Sequence, residues 1–200
     1  MNTFILDYDP AVAARFHCNK HVVKMILESA QMMCAAHWIH LLESQGKTIS
    51  DFKRIKDAQQ WAFENTPEDL QPPWKMSHVR HPCTIWTAKN VANYSWQLRL
   101  CEGLLLEYTR RYGKRHKTEL EAKWLRKNLP VNILDQSLTN FPVCMKEEYK
   151  IFKEPGMIDV VASYKNYYIK DKVRFAKWEP RATTPEWFSE GVKNEQRRLE

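Results

Sequence analysis

The most regular pattern of apolar and polar positions lies between residues 19 and 42. Val22, Val23, Ile26, Leu27, Ala30, Met33 and Ile39 recur at helical spacing and predict one long helix that Asn19 can cap. Ahead of it, Asp9 followed by Pro10 reads as an N-cap and a first helical residue, so a short helix over 10–17 is expected. The apolar run over 3–6 is too short to assign. Ser50 is a candidate N-cap for a helix to about residue 63, and Pro67, Pro72, Pro73 and Pro82 make 64–83 a long connection. A second long helix is predicted from about Cys83 to Tyr112, closed by Gly113. Thr118 and Glu121 have the spacing of a capping box for a helix to about 127, which Pro130 stops. Residues 131–156 are rich in turn formers, a last helix is expected over 157–169, and 179–200 reads as a charged tail. The expected fold is all-α: a single helical domain over 1–178 with two long central helices, followed by a C-terminal tail over 179–200.

Composition supports a packed core. Of 200 residues, 44% are hydrophobic and 12% aromatic, which excludes disordered, collagen-like and disulfide-scaffold chains. Five glycines and the lack of either glycine-rich phosphate fingerprint speak against dinucleotide or P-loop chemistry. No apolar stretch is long enough to span a membrane. Asp7 and Asp9, with no basic run before them, do not read as part of a signal peptide. Cys18, Cys34, Cys83, Cys101 and Cys144 form no CxxC pair and are expected to be reduced core thiols in a cytoplasmic protein. A net charge of +7 favours an anionic partner, nucleic acid being the commonest.

Candidate chemistry lies on the first long helix. His17, His21, Lys24, Glu28 and Gln31 are spaced 4, 3, 4 and 3 residues apart and share one narrow stripe. Glu28 beside Lys24 and His21 is either a general base or cation stabiliser in a cleft, or one half of an ordinary Lys–Glu pair on a wet face. Neither HExxH nor any similar spacing occurs, so no metal and no cofactor are expected. His81 stands before Pro82 at a helix start, where the dipole disfavours its charged form. Trp86, Asn90, Asn93 and Tyr94 follow, offering aromatic faces and amides suited to a base edge and equally suited to helix packing. Between 110 and 127 stand eight basic residues against two acidic ones, including Arg110, Arg111, Lys114 and Arg115. A second basic stretch contains Lys172 and Lys177 among aromatics, with Trp178 as a stacking candidate. Both suit phosphates and stacked bases, or are solvated faces.

The YDP element at 8–10, CNKHVVKMILESAQMM at 18–33, RHPCTIW at 80–86, NYSW at 93–96 and LLLEYTRRYGKRH at 104–116 resemble a group of small phage-borne proteins. More loosely, so does YKNYYIKDKVRFAKW at 164–178. Through them the chain distantly resembles the pyrimidine-dimer DNA glycosylase superfamily. The resemblance implies an all-α, DNA-binding enzyme in the host cytoplasm that flips a nucleotide out of the duplex. It further implies that an N-terminal amine attacks C1′, that a glutamate of the first long helix assists, and that a Schiff base leads to strand cleavage. Glu28 matches the glutamate, and His81 and Pro82 match the His-Pro step. Residue 2 departs from the pattern: the family amine belongs to a small residue exposed by methionine removal, whereas methionine is usually retained before a residue such as Asn2. The amine is then that of Met1, or the lyase step is absent. The expectation is a DNA N-glycosylase-like enzyme acting on a damaged or modified pyrimidine nucleotide, with catalytic Met1, Glu28 and His81. Its substrate pocket would comprise His21, Lys24, Trp86, Asn90, Asn93 and Tyr94. The alternatives are a non-catalytic nucleic-acid-binding protein, an enzyme on free nucleotides, and one that modifies phage DNA bases.

Overall fold

In the computed structural model, which describes residues 1–198 and 200, the chain is mainly α-helical. The α-helices are α1 (Pro10–Phe16), α2 (Asn19–Ser44), α3 (Ile55–Asn65), α4 (Pro82–Lys89), α5 (Val91–Tyr112), α6 (Glu119–Lys127), α7 (Val160–Tyr167) and α8 (Glu186–Arg197). A two-stranded antiparallel hairpin pairs β1 (Phe152–Glu154) with β2 (Met157–Ile158), turning at Gly156 with φ +81°. No helix among the described residues is long and apolar enough to cross a membrane.

The first two helices form where the pattern places them, but Asn19 does not cap α2: it is the first helical residue, Cys18 takes the cap position without a side-chain bond, and the Asn19 amide instead bonds the Trp178 carbonyl and Arg111. Asp9 caps α1 through Oδ1, which accepts from the Ala11 and Val12 N–H groups, with Pro10 as the first helical residue. α2 is buried on nearly every side; its N-terminal half opens to solvent at Lys20, Val23, Lys24 and Leu27. Its first half, with α1, α5, Phe4–Leu6 and the 164–188 region, builds the main core. Its second half packs Trp38, Leu41 and Leu42 against Ala58 and Ala62 of α3 and against Met76 and Val79.

Other expectations are corrected, among them the helix over 157–169, whose first residues are strand β2 and which starts only at Val160. The second long helix is two helices, because the chain is extended at Asn90. The Asn90 side chain caps α5 by accepting from Asn93 N–H at 2.9 Å, and Val91 N–H turns aside to the Leu134 carbonyl. The Ala88 carbonyl, freed at the end of α4, accepts from His40 Nε2 at 2.7 Å. Ser50 does not cap α3; it lies in a 3-10 turn that Thr48 and Asp51 close as a capping box, and α3 starts at Ile55. Thr118 makes no side-chain cap to α6. The segment after 178 is no tail: α8 lays Phe188 on Trp178 and Trp187 on Phe16, burying the first and half-burying the second, two aromatics that the surrounding charges obscure. Gly113 does close α5, in the left-handed conformation with φ +65°.

At Gly103, α5 lies directly against Ala14, Ala11 and Pro10 of α1. A Cβ there would lie 2.8 Å from Ala14 Cβ, and both backbones are held by buried neighbours. Gly103→Val is expected to destabilise the fold by about 1–3 kcal/mol through overpacking. Chemical denaturation of the variant, with and without Ala14→Gly to restore space, measures it.

Burial also governs acid stability. It pulls His17 down to about 4, His37 to about 3 and His21 to about 2, each from 6.5. Neighbouring charges add to this at all three: Arg111 at His17, His40 at His37, and His17 with three lysines at His21. Because the folded values lie below the unfolded one, the unfolded chain takes up protons first as pH falls. Stability is therefore complete above pH 6.5 and drains from 6.5 toward about 4, at up to about 1.4 kcal/mol per pH unit for each histidine. Denaturant midpoints measured from pH 7.5 to 4.5 should fall steeply across this window; a flat profile would contradict the burial of these rings as neutral groups.

Candidate active site at the chain terminus

The N-terminal segment runs into the core instead of along the surface. Ile5 and Leu6 are fully buried, and Phe4 stacks on the His21 ring with centroids 4.5 Å apart. His21 in turn hydrogen-bonds the Tyr168 hydroxyl. Thr3 donates its hydroxyl to Gln97 Oε1 at 3.1 Å, and Gln97 Nε2 donates to Ser29 Oγ at 2.8 Å, which ties the terminus to α2 and α5 together. The segment places the Met1 α-amine 3.9 Å from Glu28 Oε2. The same oxygen accepts from Asn2 N–H at 3.2 Å, and Lys24 Nζ lies 3.1 Å from Oε1. The Glu28 side chain is 11% exposed and Lys24 60%, so the carboxylate is an interior group reached from the open face of α2.

His81 closes the other side. It is the N-cap of α4, its Nδ1 accepting from Cys83 N–H at 3.2 Å. In the neutral ring this leaves the proton on Nε2, a donor. Burial lowers its pKa, the Met1 ammonium and His78 lower it further, and Glu28 opposes them. The charges of the Met1 amine and Glu28 are thus both felt at His81.

Asn2 is the clamp that holds this terminus, and sequence reasoning missed it. Its Nδ2 donates to the Cys144 carbonyl at 2.9 Å, and its Oδ1 accepts from Thr3 N–H at 2.8 Å with the Tyr164 hydroxyl 3.1 Å away. Cys144 and Tyr164 reach the site from more than 110 residues beyond Glu28, which no local spacing reveals. His81, Cys83 and Cys144 also bring a nitrogen and two sulfurs within 4.8 Å of one another, a metal-capable grouping whose third member lies 61 residues beyond the second and so forms no local spacing.

The rest of the expected pocket lies elsewhere. Tyr94 is fully buried between the His37 ring and the Leu125 carbonyl. Asn90 and Asn93 are fully buried too, and they hold residues 137–139: Asn90 Nδ2 donates to the Ser137 carbonyl, while Asn93 donates to Thr139 Oγ1 and accepts from Thr139 N–H. Trp86 packs on Trp96 and Phe141. These four side chains serve packing and backbone satisfaction, not a base edge. His21 is likewise sealed by Phe4, Tyr168 and Phe175.

The basic stretches divide. Arg111 is wholly buried and donates to the carbonyls of Arg15 and His17, to Asn19 Oδ1 and to Glu107, so it joins α1 to α2 and reaches no phosphate. Burial would raise the Glu107 carboxyl, but Arg110 and Arg111 hold it below the usual range. Arg110 is exposed yet paired with Glu107, and Arg115 with Glu119. Lys114 and Lys177 are exposed. Lys172 is paired with Asp171 and bonded to the Tyr167 hydroxyl. Trp178, 1% exposed, cannot stack on a ligand. Both stretches nonetheless reach the start of α2: the Tyr112 hydroxyl donates to the Asn19 carbonyl at 3.2 Å, and Lys20 lies over the Phe175 ring at 4.7 Å. A cleft of about 930 Å³ between α2, α4 and residues 132–134 contains neither Met1 nor Glu28.

No protein-family model matches this chain, and neither a curated protein nor a solved structure is significantly similar to it.

Proposed function

We propose that the chain is a DNA N-glycosylase-like enzyme that acts on a damaged or modified pyrimidine nucleotide flipped out of the duplex, with the Met1 α-amine as nucleophile and Glu28 as its carboxylate partner. The observation that carries the reading is the amine 3.9 Å from Glu28 Oε2, at the margin of a helix face bearing Lys20 and Lys24. The resemblance of residues 18–33 and 80–86 to the pyrimidine-dimer glycosylase superfamily points the same way.

The chemistry follows from the placement. The amine nitrogen bonds to C1′ as the bond from C1′ to the base breaks, and the base leaves with the electron pair and takes up a proton. Glu28 stabilises the cationic character at C1′ and receives a proton from the amine nitrogen. Opening of the C1′–O4′ bond, with O4′ protonated, then yields a Schiff base. Lys24 and the Asn2 N–H hold the carboxylate in place. His81 Nε2–H supplies a neutral donor beside the amine. Phosphates on either side of the flipped nucleotide would meet Lys20, Lys24 and Lys114.

Glu28→Gln keeps the shape and an acceptor oxygen but removes the charge, so base release should fall by about 100-fold or more while the helical circular dichroism is unchanged. Mass analysis of bases released from duplexes carrying modified or damaged pyrimidines measures it. Unchanged turnover would overturn the assignment of Glu28. In the same incubations, borohydride should trap a covalent protein–DNA adduct that maps to Met1, since a Schiff base is reducible. Base release without an adduct would remove the amine from the mechanism and leave a glycosylase that activates water.

A further inference from the structure

Cys83 and Cys144 are 61 residues apart in sequence, yet their sulfurs lie 3.6 Å from each other. Cys83 is fully buried in the first turn of α4. Cys144 is partly exposed in an extended stretch with no helix or strand to restrain it. The chemistry at the amine uses neither thiol. Both touch Asn2, however: Cys83 Sγ lies 3.7 Å from Asn2 Oδ1, and the Cys144 carbonyl accepts from Asn2 Nδ2.

We propose that Cys83 and Cys144 form a reversible dithiol–disulfide pair, a site of oxidative modification that couples the extended segment to the start of α4 beside the N-terminal amine. The oxidant is a low-molecular-weight disulfide. Cys144, the accessible partner, attacks one of its sulfurs as thiolate; the small-molecule S–S bond breaks, one half departs as a thiolate and takes a proton, and the other remains on Cys144. Cys83 then gives up its proton and attacks Cys144 Sγ, expelling the second half as a thiol. Two protein thiols and one small disulfide become one protein disulfide and two small thiols, with two electrons and two protons transferred. The sulfurs close by about 1.5 Å to reach bonding distance, a shift that falls on the irregular segment carrying Cys144.

Local electrostatics assign the same roles. The Cys83 S–H hydrogen bond, the backbone of Cys83, the Met1 ammonium and Lys150 lower the Cys144 thiol against its burial, whereas the hydrogen bond to the Cys144 sulfur, and then burial, raise Cys83. Burial pushes Cys34 and Cys101 up to about 12, keeping them as inert thiols. A metal on the His81, Cys83 and Cys144 grouping is the competing use of the same atoms. His81 argues against it: its Nδ1 lone pair already receives Cys83 N–H and its Nε2 bears the proton, so ligation would cost the N-cap of α4. The thiol chemistry does not depend on the glycosylase reading.

The test incubates the folded full-length chain with oxidised glutathione, quenches with an alkylating reagent and maps the thiols by mass spectrometry. Two thiols should become unavailable, the intact mass should fall by two hydrogens, and one cross-linked peptide pair should contain Cys83 and Cys144. Dithiothreitol should reverse the change, and oxidation should raise the thermal midpoint. Cys144→Ser should give no cross-link and no rise. The proposal is overturned if glutathione stays on Cys144 with Cys83 free, if other cysteines are cross-linked, or if a stoichiometric zinc ion shields the thiols.

Discussion

Glu28 sits on a helix whose neighbouring positions, Val22, Ile26 and Ala30, are fully buried, and a carboxylate in that setting must be met by donors or be expelled. Its own helix supplies one, Lys24 a turn away. The others come from the chain terminus, as the Asn2 N–H and the Met1 amine. The terminus therefore has to enter the core, and the residues behind it must suit burial: Phe4, Ile5 and Leu6 do. His21 is then covered by Phe4 and Tyr168, and Thr3 reaches Gln97. One buried charge thus sets the route of the first six residues and the neutrality of a histidine two turns away.

The extended stretch between α6 and the hairpin obeys the same accounting. Apart from a 3-10 turn at Glu147–Tyr149 it has neither helix nor sheet, so its backbone groups need other partners, and buried amides supply several of them. Asn90 and Asn93 take the Ser137 carbonyl and the Thr139 N–H, Leu134 accepts from Val91 N–H, and Asn2 takes the Cys144 carbonyl. The break between α4 and α5 is a consequence of this: an unbroken helix would turn the Val91 N–H back into its own ladder. Irregular backbone is held in one conformation by side chains that read, along the chain, as an amide-rich helix face. That is also how Cys144 comes to lie beside Cys83.

Most of the helical skeleton was legible because it is local. The α2 periodicity, Asp9–Pro10 and Gly113 each act within a turn or two, and each element ends close to where those residues place it. Glu28 and His81 were legible as candidates because a carboxylate on a narrow polar stripe of an otherwise apolar helix and a His-Pro step at a helix start are visible along the chain. What failed was whatever depended on distant partners. Arg111 looks like any cation in a basic run, but five donors on a planar group suit the carbonyls of Arg15 and His17 where α1 passes into α2. Tyr94, Asn90 and Asn93 offer the same groups to a nucleobase or to backbone, and only the fold decides. Trp187 and Phe188 were hidden by the charges around them, yet they make the final helix part of the domain.

The net charge of +7 is a poor guide to where an anion would bind, since many of the cations are spoken for: Arg54, Arg110, Arg115, Lys123 and Arg126 each face an acid. Position carries more weight than the sum. On the open face of α2, Lys20 and Lys24 alternate with Val23 and Leu27, which are 40% and 41% exposed although the rest of that helix half is buried. Leaving two branched aliphatics in water between two lysines costs apolar burial that the core a turn away would have provided. A ligand that is itself alternately anionic and flat, with phosphates flanking a sugar and a base, covers both kinds of side chain at once. Under the proposed reading, the stripe and the buried carboxylate behind it are then the outer and inner parts of one design. In that reading the lysines would hold the backbone, the aliphatics would cover the unstacked nucleotide, and Glu28 with the Met1 amine would act one layer deeper.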